Sequence, residues 1–222
     1  MTQNPRHLRR NPTQSRAEAT LRAIREACLK ILDEEGHQRL TTNRIAEVAG
    51  ISIGSLYQYY ADKRAIAADI CNELLLAELN EVDRLDEQAI SMVRNSLETT
   101  MKFFVEEYVA RHRRLYLKLK GFYLEMHWHY DFETYVLKTR PGKLTTVEWL
   151  PRALKRYREI LGVHDLVLAS TMIVNVIEGT IHATLDRSPE LILKQEFADE
   201  LLAIVLSYLK YASKSNASPG SS

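Results

Sequence analysis

The chain has 222 residues, 45% of them hydrophobic and 27% charged, with 30 Lys and Arg against 29 Asp and Glu. That length can bury a core without disulfides, and two cysteines, Cys28 and Cys71, are too few to build a cysteine metal site. The longest apolar run, near Leu166 to Ile177, is interrupted by Ser170, Thr171 and Asn175 and stays short of the roughly 20 residues that cross a bilayer. With no signal-peptide pattern at the start either, a cytoplasmic protein with no membrane partner is expected. The near-neutral total hides an uneven distribution. Residues 1–64 carry 11 basic and 7 acidic side chains, net +4, and the remainder carry 19 and 22, net −3. A basic head on a faintly acidic body suits a polyanionic partner for the head.

Residues 1–14, with Pro5, Pro12 and Arg6, Arg9 and Arg10 but no apolar period, read as a mobile basic arm. From Ser15 the pattern turns helical. Leu21, Ile24, Cys28, Ile31 and Leu32 recur at helical spacing, and Gly36 supplies a left-handed cap. Thr41 or Thr42 caps a second, short helix in which Ile45, Val48 and Ala49 share a face, and Gly50 ends it. Ser52 caps a third short helix whose buried side is Leu56 and Tyr60, and Asp62 caps a long fourth helix through Ile66, Ile70 and Leu74. Five amphipathic segments follow, over 88–110, 112–137, 147–161, 165–186 and 190–212, and the tail over 213–222 reads as disordered. No alternation bounded by hairpin turns occurs, so the fold class is all-α.

Two short helices joined at Gly50 and preceded by a third make a three-helix helix-turn-helix arrangement over 15–62. With Leu56 and Tyr60 inward, a helical wheel turns Gly54, Ser55, Tyr57 and Gln58 outward. These suit a DNA groove. Gly54 admits close backbone approach, Ser55 and Gln58 hydrogen-bond base edges or phosphates, and Tyr57 offers a phenol and a ring. Thr42 at a helix start and Lys63 beyond the motif suit the flanking phosphates.

The run T-T-x-x-I-A-x-x-A-G-I-S-x-G-S-L-Y-x-Y-Y-x-x-K, residues 41–63, resembles the DNA-binding signature of the TetR family of bacterial transcriptional regulators. The resemblance implies a phosphate contact at Thr42, base or backbone contacts at Ile53, Gly54, Ser55, Tyr57 and Gln58, and phosphate grips at Tyr59 and Lys63. Where many relatives have His-Phe this chain has Tyr59-Tyr60. It further implies that residues 63–212 form a larger C-terminal helical domain for ligand binding and dimerisation. The protein is then a ligand-responsive repressor, not an enzyme, that binds a pseudo-palindromic double-stranded operator as a homodimer and is released by a small-molecule effector.

For the dimer, segments 165–186 and 190–212 are the candidates. Leu201, Ile204, Val205, Tyr208 and Leu209 form an apolar stripe, and Ala169, Gly179 and Ala183 allow close helix approach. Candidate effector contacts are Phe104, Tyr108, Phe122, Tyr123, Met126 and Trp149, with Asn175 and Glu178, which share a helix face with His182. Two alternatives are carried: a metal-dependent hydrolase at His127 and His129, and a ligand-independent architectural DNA-binding protein. Against the first, side chains two apart on a helix diverge by about 200°. No metal and no cofactor are therefore expected.

Overall fold

The computed structural model describes residues 15–84, 95–129, 135, 138, 139, 146–161, 163 and 165–215. Among them regular structure is entirely helical, with no strand. The expected basic arm over 1–14 lies outside the described residues, as do the start of the segment expected from 88 and residue 137 at the end of the next. The chain divides into two compact units, one from the chain up to residue 83 with residues 114–132, the other from 84–113 and 133 onward.

In the first unit, α1 (Ser15–Glu34) buries Leu21, Ile24, Ala27, Cys28, Ile31 and Leu32 along one face. The amides of Glu35 and Gly36 both donate to the Ile31 carbonyl, and Gly36 at φ 83 turns the chain out of the helix. Thr41 is the N-cap of α2 (Thr42–Val48), its hydroxyl accepting from the Arg44 amide at 3.2 Å. Gly50, at φ 67, makes the turn, and Ile45 and Ala46 are buried. Ser52 caps α3 (Ile53–Tyr59) by accepting from the Ser55 amide at 3.0 Å. Asp62 then opens α4 (Lys63–Arg84), accepting from the Ala65 amide at 2.8 Å. In each of α2, α3 and α4 one first-turn amide that lacks an intrahelical partner donates to a side-chain oxygen.

Helix α5 (Leu97–Leu119) does not break near 111, where two segments were expected to meet. The run Arg111-His112-Arg113-Arg114 looks like an interruption in apolar content, but it contains no Gly or Pro to stop a helix. The chain turns instead at Lys120, at φ 50, before α6 (Gly121–Met126). This joint is pinned to the end of α1. The Lys120 ammonium pairs with the Asp33 carboxylate, and a Cβ on Gly121 would run into the His37 ring. Leu115, Leu119, Phe122, Tyr123 and Met126 are all buried within this first unit.

In the second unit the first part of α5 starts from a reciprocal cap. The Thr99 amide donates to Ser96 Oγ and the Ser96 amide donates to Thr99 Oγ1. Met101, Phe104, Val105, Tyr108 and Val109 form its buried face. The unit is completed by α7 (Thr146–Lys155), α8 (Leu166–Arg187) and α9 (Gln195–Ser215), which runs three residues into the tail expected to be disordered from 213. A tail of small polar residues lacks apolar period, yet the last turn of a long packed helix needs none of its own. By length and composition α8 is apolar enough to cross a membrane, which the shorter run read in sequence did not reach. Asp165 caps it, and Ala169, Ile173, Ile177, Ile181 and Leu185 bury one face inside the unit.

The Gly121 contact predicts that Gly121→Ala lowers the stability of the head by about 1 to 3 kcal/mol, since overpacking costs that much and exceeds the small helix-propensity gain at a first position. Thermal unfolding of Gly121→Ala beside Gly121→Ala/His37→Ala checks it, with the second variant regaining most of the loss.

Candidate nucleic-acid interface

Helix α3 is held from behind and open in front. Leu56 and Tyr60 are fully buried, whereas Ile53, Gly54, Tyr57 and Gln58 are exposed and Ser55 is half-buried. The nearest atom to a Cβ built on Gly54 is Ser52 Oγ at 3.8 Å, an ordinary contact, and Gly54 needs no positive φ. The protein's own fold therefore gives no reason for glycine there. What its absence of a side chain leaves is room for another molecule.

The other candidates are arranged as follows. Tyr57, 41% exposed, shares a hydrogen bond of 3.1 Å between its hydroxyl and Thr42 Oγ1, so the first turn of α2 and the outer face of α3 meet at one point. The Ser55 hydroxyl is 2.8 Å from Ser52 Oγ, within the cap. Tyr59 is only 9% exposed, unlike its neighbours Tyr57 and Gln58. Lys63 bends away along α6: its ammonium lies 4.7 Å from the centre of the Phe122 ring and 3.7 Å from a Glu125 oxygen. Arg44 on α2 is committed as well, forming a forked pair with Glu35 and a further contact to Glu47. The hydrogen bond from Arg44 holds the Glu35 carboxyl below its usual range.

Sequence reasoning missed a set of polar residues behind α3. The Tyr60 hydroxyl donates to Asp69 Oδ2 at 2.6 Å, and Arg25 reaches Asp69 at 2.9 Å and Glu73 at 2.9 Å. Burial, reinforced by the Asp69 charge, pushes the Tyr60 phenol well above its ordinary value, so it stays a donor. The only sequence signal was the spacing of Asp69 and Glu73, four apart on α4, with Arg22 and Arg25 near the middle of α1.

The candidate effector residues divide between the two units. In the second, Phe104 stacks on Trp149, centroids 5.6 Å apart, and leans on Tyr108 at 5.2 Å, while the Tyr108 hydroxyl is 3.4 Å from Glu178. His112 and His182 meet edge to face at 5.4 Å, and Arg111 lies 5.3 Å from the Tyr108 ring. Asn175 is exposed on α8. Phe122, Tyr123 and Met126 belong to the first unit, where they are buried. His127 is buried and His129 exposed in a 3-10 turn, and no three metal-ligating side chains group together among the described residues.

A capped, short, outward-facing helix seated on two others is a helix-turn-helix arrangement. Residues 24–70 match the family described as bacterial regulatory proteins, tetR family. Over this head the chain is similar to the TetR family. It is 39% identical over 57 residues to the HTH-type transcriptional regulator SAB2452 of Staphylococcus aureus, covering 26% of this chain and 29% of that one. It is 31% identical over 87 residues to the uncharacterized HTH-type transcriptional regulator YxbF of Bacillus subtilis, covering 37% and 23%. The chain thus matches less than a third of the length of these curated relatives. The whole-chain fold is similar to that of Thermus thermophilus FadR, a TetR-family transcriptional repressor solved in complex with lauroyl-CoA, at TM-score 0.54 and 20% identity over 91% of this chain and 99% of that one. A TetR-family regulator from Mesorhizobium loti is similar at TM-score 0.51 and 16% identity, over 88% and 98%. These relatives and neighbours are regulators, not enzymes.

Proposed function

We propose that the chain is a cytoplasmic transcriptional repressor that binds a pseudo-palindromic duplex as a homodimer and leaves it when a small molecule binds. The observation that carries this reading is the open face of α3, from Ile53 to Gln58, over a fully buried Leu56 and Tyr60. Ile53, Gly54, Ser55, Tyr57 and Gln58 face base edges and the adjoining backbone in the major groove, and Thr42 and Lys63 face phosphates, while the buried Tyr59 must turn outward to reach one. Tyr57 arrives at the groove already oriented by Thr42, which lowers the ordering cost of its contact. For Lys63 to reach a phosphate it must leave the Phe122 ring.

Two exposed apolar rows support a homodimer. On α8, Val167, Leu168 and Met172 are 45% to 63% exposed, and on α9 Ile204 and Tyr208 are exposed while Leu201, Val205 and Leu209 of the same stripe are buried. A Cβ on Gly179 would meet nothing within 4 Å, which leaves space for a facing helix, and Asn175 lies on the same exposed side. A two-fold pair also doubles the bases read, since one seven-residue helix spans only part of a half-site. The effector is assigned to the second unit, against Phe104, Tyr108, Trp149 and Glu178, where aromatic surface surrounds a few polar atoms. The Thermus protein of similar fold is solved in complex with lauroyl-CoA. Release requires the effector to prefer the conformation that does not fit DNA, because a ligand of equal affinity for both shifts nothing.

Tyr57→Ala is expected to weaken binding to a duplex selected by the wild-type chain from a random library by about 1 to 3 kcal/mol, with the thermal midpoint unchanged. Equal affinity in a fluorescence-anisotropy titration contradicts the docking. Met172→Glu combined with Ile204→Glu is expected to give monomers in size-exclusion chromatography with light scattering, against dimers for the wild type. A dimer that survives both charges rules out these rows as the interface.

A further inference from the structure

Tyr60 lies at the corner between α3 and α4, fully buried, with its amide still bonded to the Leu56 carbonyl of α3. Its hydroxyl reaches Asp69 on the second turn of α4 at 2.6 Å, the short range expected of a hydroxyl on a carboxylate. The same Asp69 oxygen takes Arg25 from the middle of α1, and the Arg25 Nε holds Glu73 one turn further along α4. Three helices therefore converge on one carboxylate. Asp69 and Arg25 are about four-fifths buried, at 17% and 22% exposure.

Ile24 and Cys28 of α1 and Ile66 and Ile70 of α4 are buried as well, and apolar burial has no preferred direction. They resist separation of the helices and tolerate small rotations. Hydrogen bonds are directional, so the Tyr60–Asp69–Arg25 chain fixes the rotation and register that the apolar contacts leave loose.

We infer that Asp69 and Arg25 are positioning residues for DNA reading: through the Tyr60 hydroxyl they set the angle at which α3 leaves α4, and so which bases its outer face can meet. Neither side chain is on the exposed side of α3. The inference rests on the reading of α3 as the groove-facing helix. It adds that sequence discrimination, more than general affinity for duplex, depends on a tether behind that helix. A backbone phosphate tolerates small displacements of its partner, whereas a paired base edge does not.

Tyr60→Phe tests this, since it deletes one oxygen and leaves Asp69 paired with Arg25. The probes are a duplex enriched by the wild-type chain from a random library and a scrambled duplex of equal length, both titrated at one salt concentration. Expected is a loss of about five- to tenfold on the enriched duplex, the size of one charge-assisted hydrogen bond, with scrambled-duplex affinity unchanged. Asp69→Asn removes the charge that holds both Tyr60 and Arg25, so it should cost at least as much on the enriched duplex, and adding Tyr60→Phe to it should cost little more. Equal losses on both duplexes, or none on the enriched one, would overturn the inference while the groove-facing role of α3 stands. If the wild-type chain enriches no duplex at all, that role fails and the inference fails with it. Circular dichroism of Tyr60→Phe, expected to match the wild type, separates mispositioning from unfolding.

Discussion

A seven-residue helix is too short to persist in water by itself, because nucleating it costs more than its few internal hydrogen bonds return. Helix α3 exists because Leu56 and Tyr60 are buried behind it and Ser52 closes its first turn. Everything exposed on its outer face is a consequence of that seating. Full burial of a leucine or an aromatic ring is worth about 1.5 to 3 kcal/mol, several times the contribution of any single surface ion pair in the head. Apolar seating therefore decides that the helix forms, and the polar groups around it decide how it is aimed.

The head is not built from its own segment alone. Residues 114–129 pack in the same unit, and the contacts that hold them are specific: Lys120 on Asp33, Gly121 against His37, and Lys63 between the Phe122 ring and Glu125. The last contact ties the first turn of α4, directly after the reading helix, to the short helix α6. A shift of α6 would change the environment of Lys63 before it changed anything on α3.

How much was legible in the sequence depended on the range of the interactions. Gly36, Gly50, Ser52 and Asp62 act within four residues of themselves, so the ends of α1 to α4 could be read from residue type. The inward placement of Leu56 and Tyr60 followed from helical period alone. The stop of α5 did not, because Lys120 takes a positive φ that lysine does not advertise, and the pairing with Asp33 that accompanies it spans 87 residues. The Tyr60 tether was equally hidden, with Arg25 and Asp69 lying 44 residues apart. Lys63 looked like a free cation by position, yet the ring and carboxylate that attract it come from α6. The aromatic residues gathered as effector contacts proved to be two groups, since an apolar stripe reveals burial but not which neighbour buries it.

The seating of α3 with its outer face toward DNA is tested most directly by photo-crosslinking from that face. Cys28 and Cys71 are buried, and burial pushes the Cys28 thiol up to about 12 and the Cys71 thiol higher, so a cysteine introduced on the surface is the one that labels. A benzophenone carried on Gln58→Cys should crosslink to an enriched duplex on irradiation, and the same group on Lys30→Cys, exposed on α1, should not. Crosslinks from position 30 with none from position 58 would place a different surface of the head on the duplex and contradict the proposed orientation.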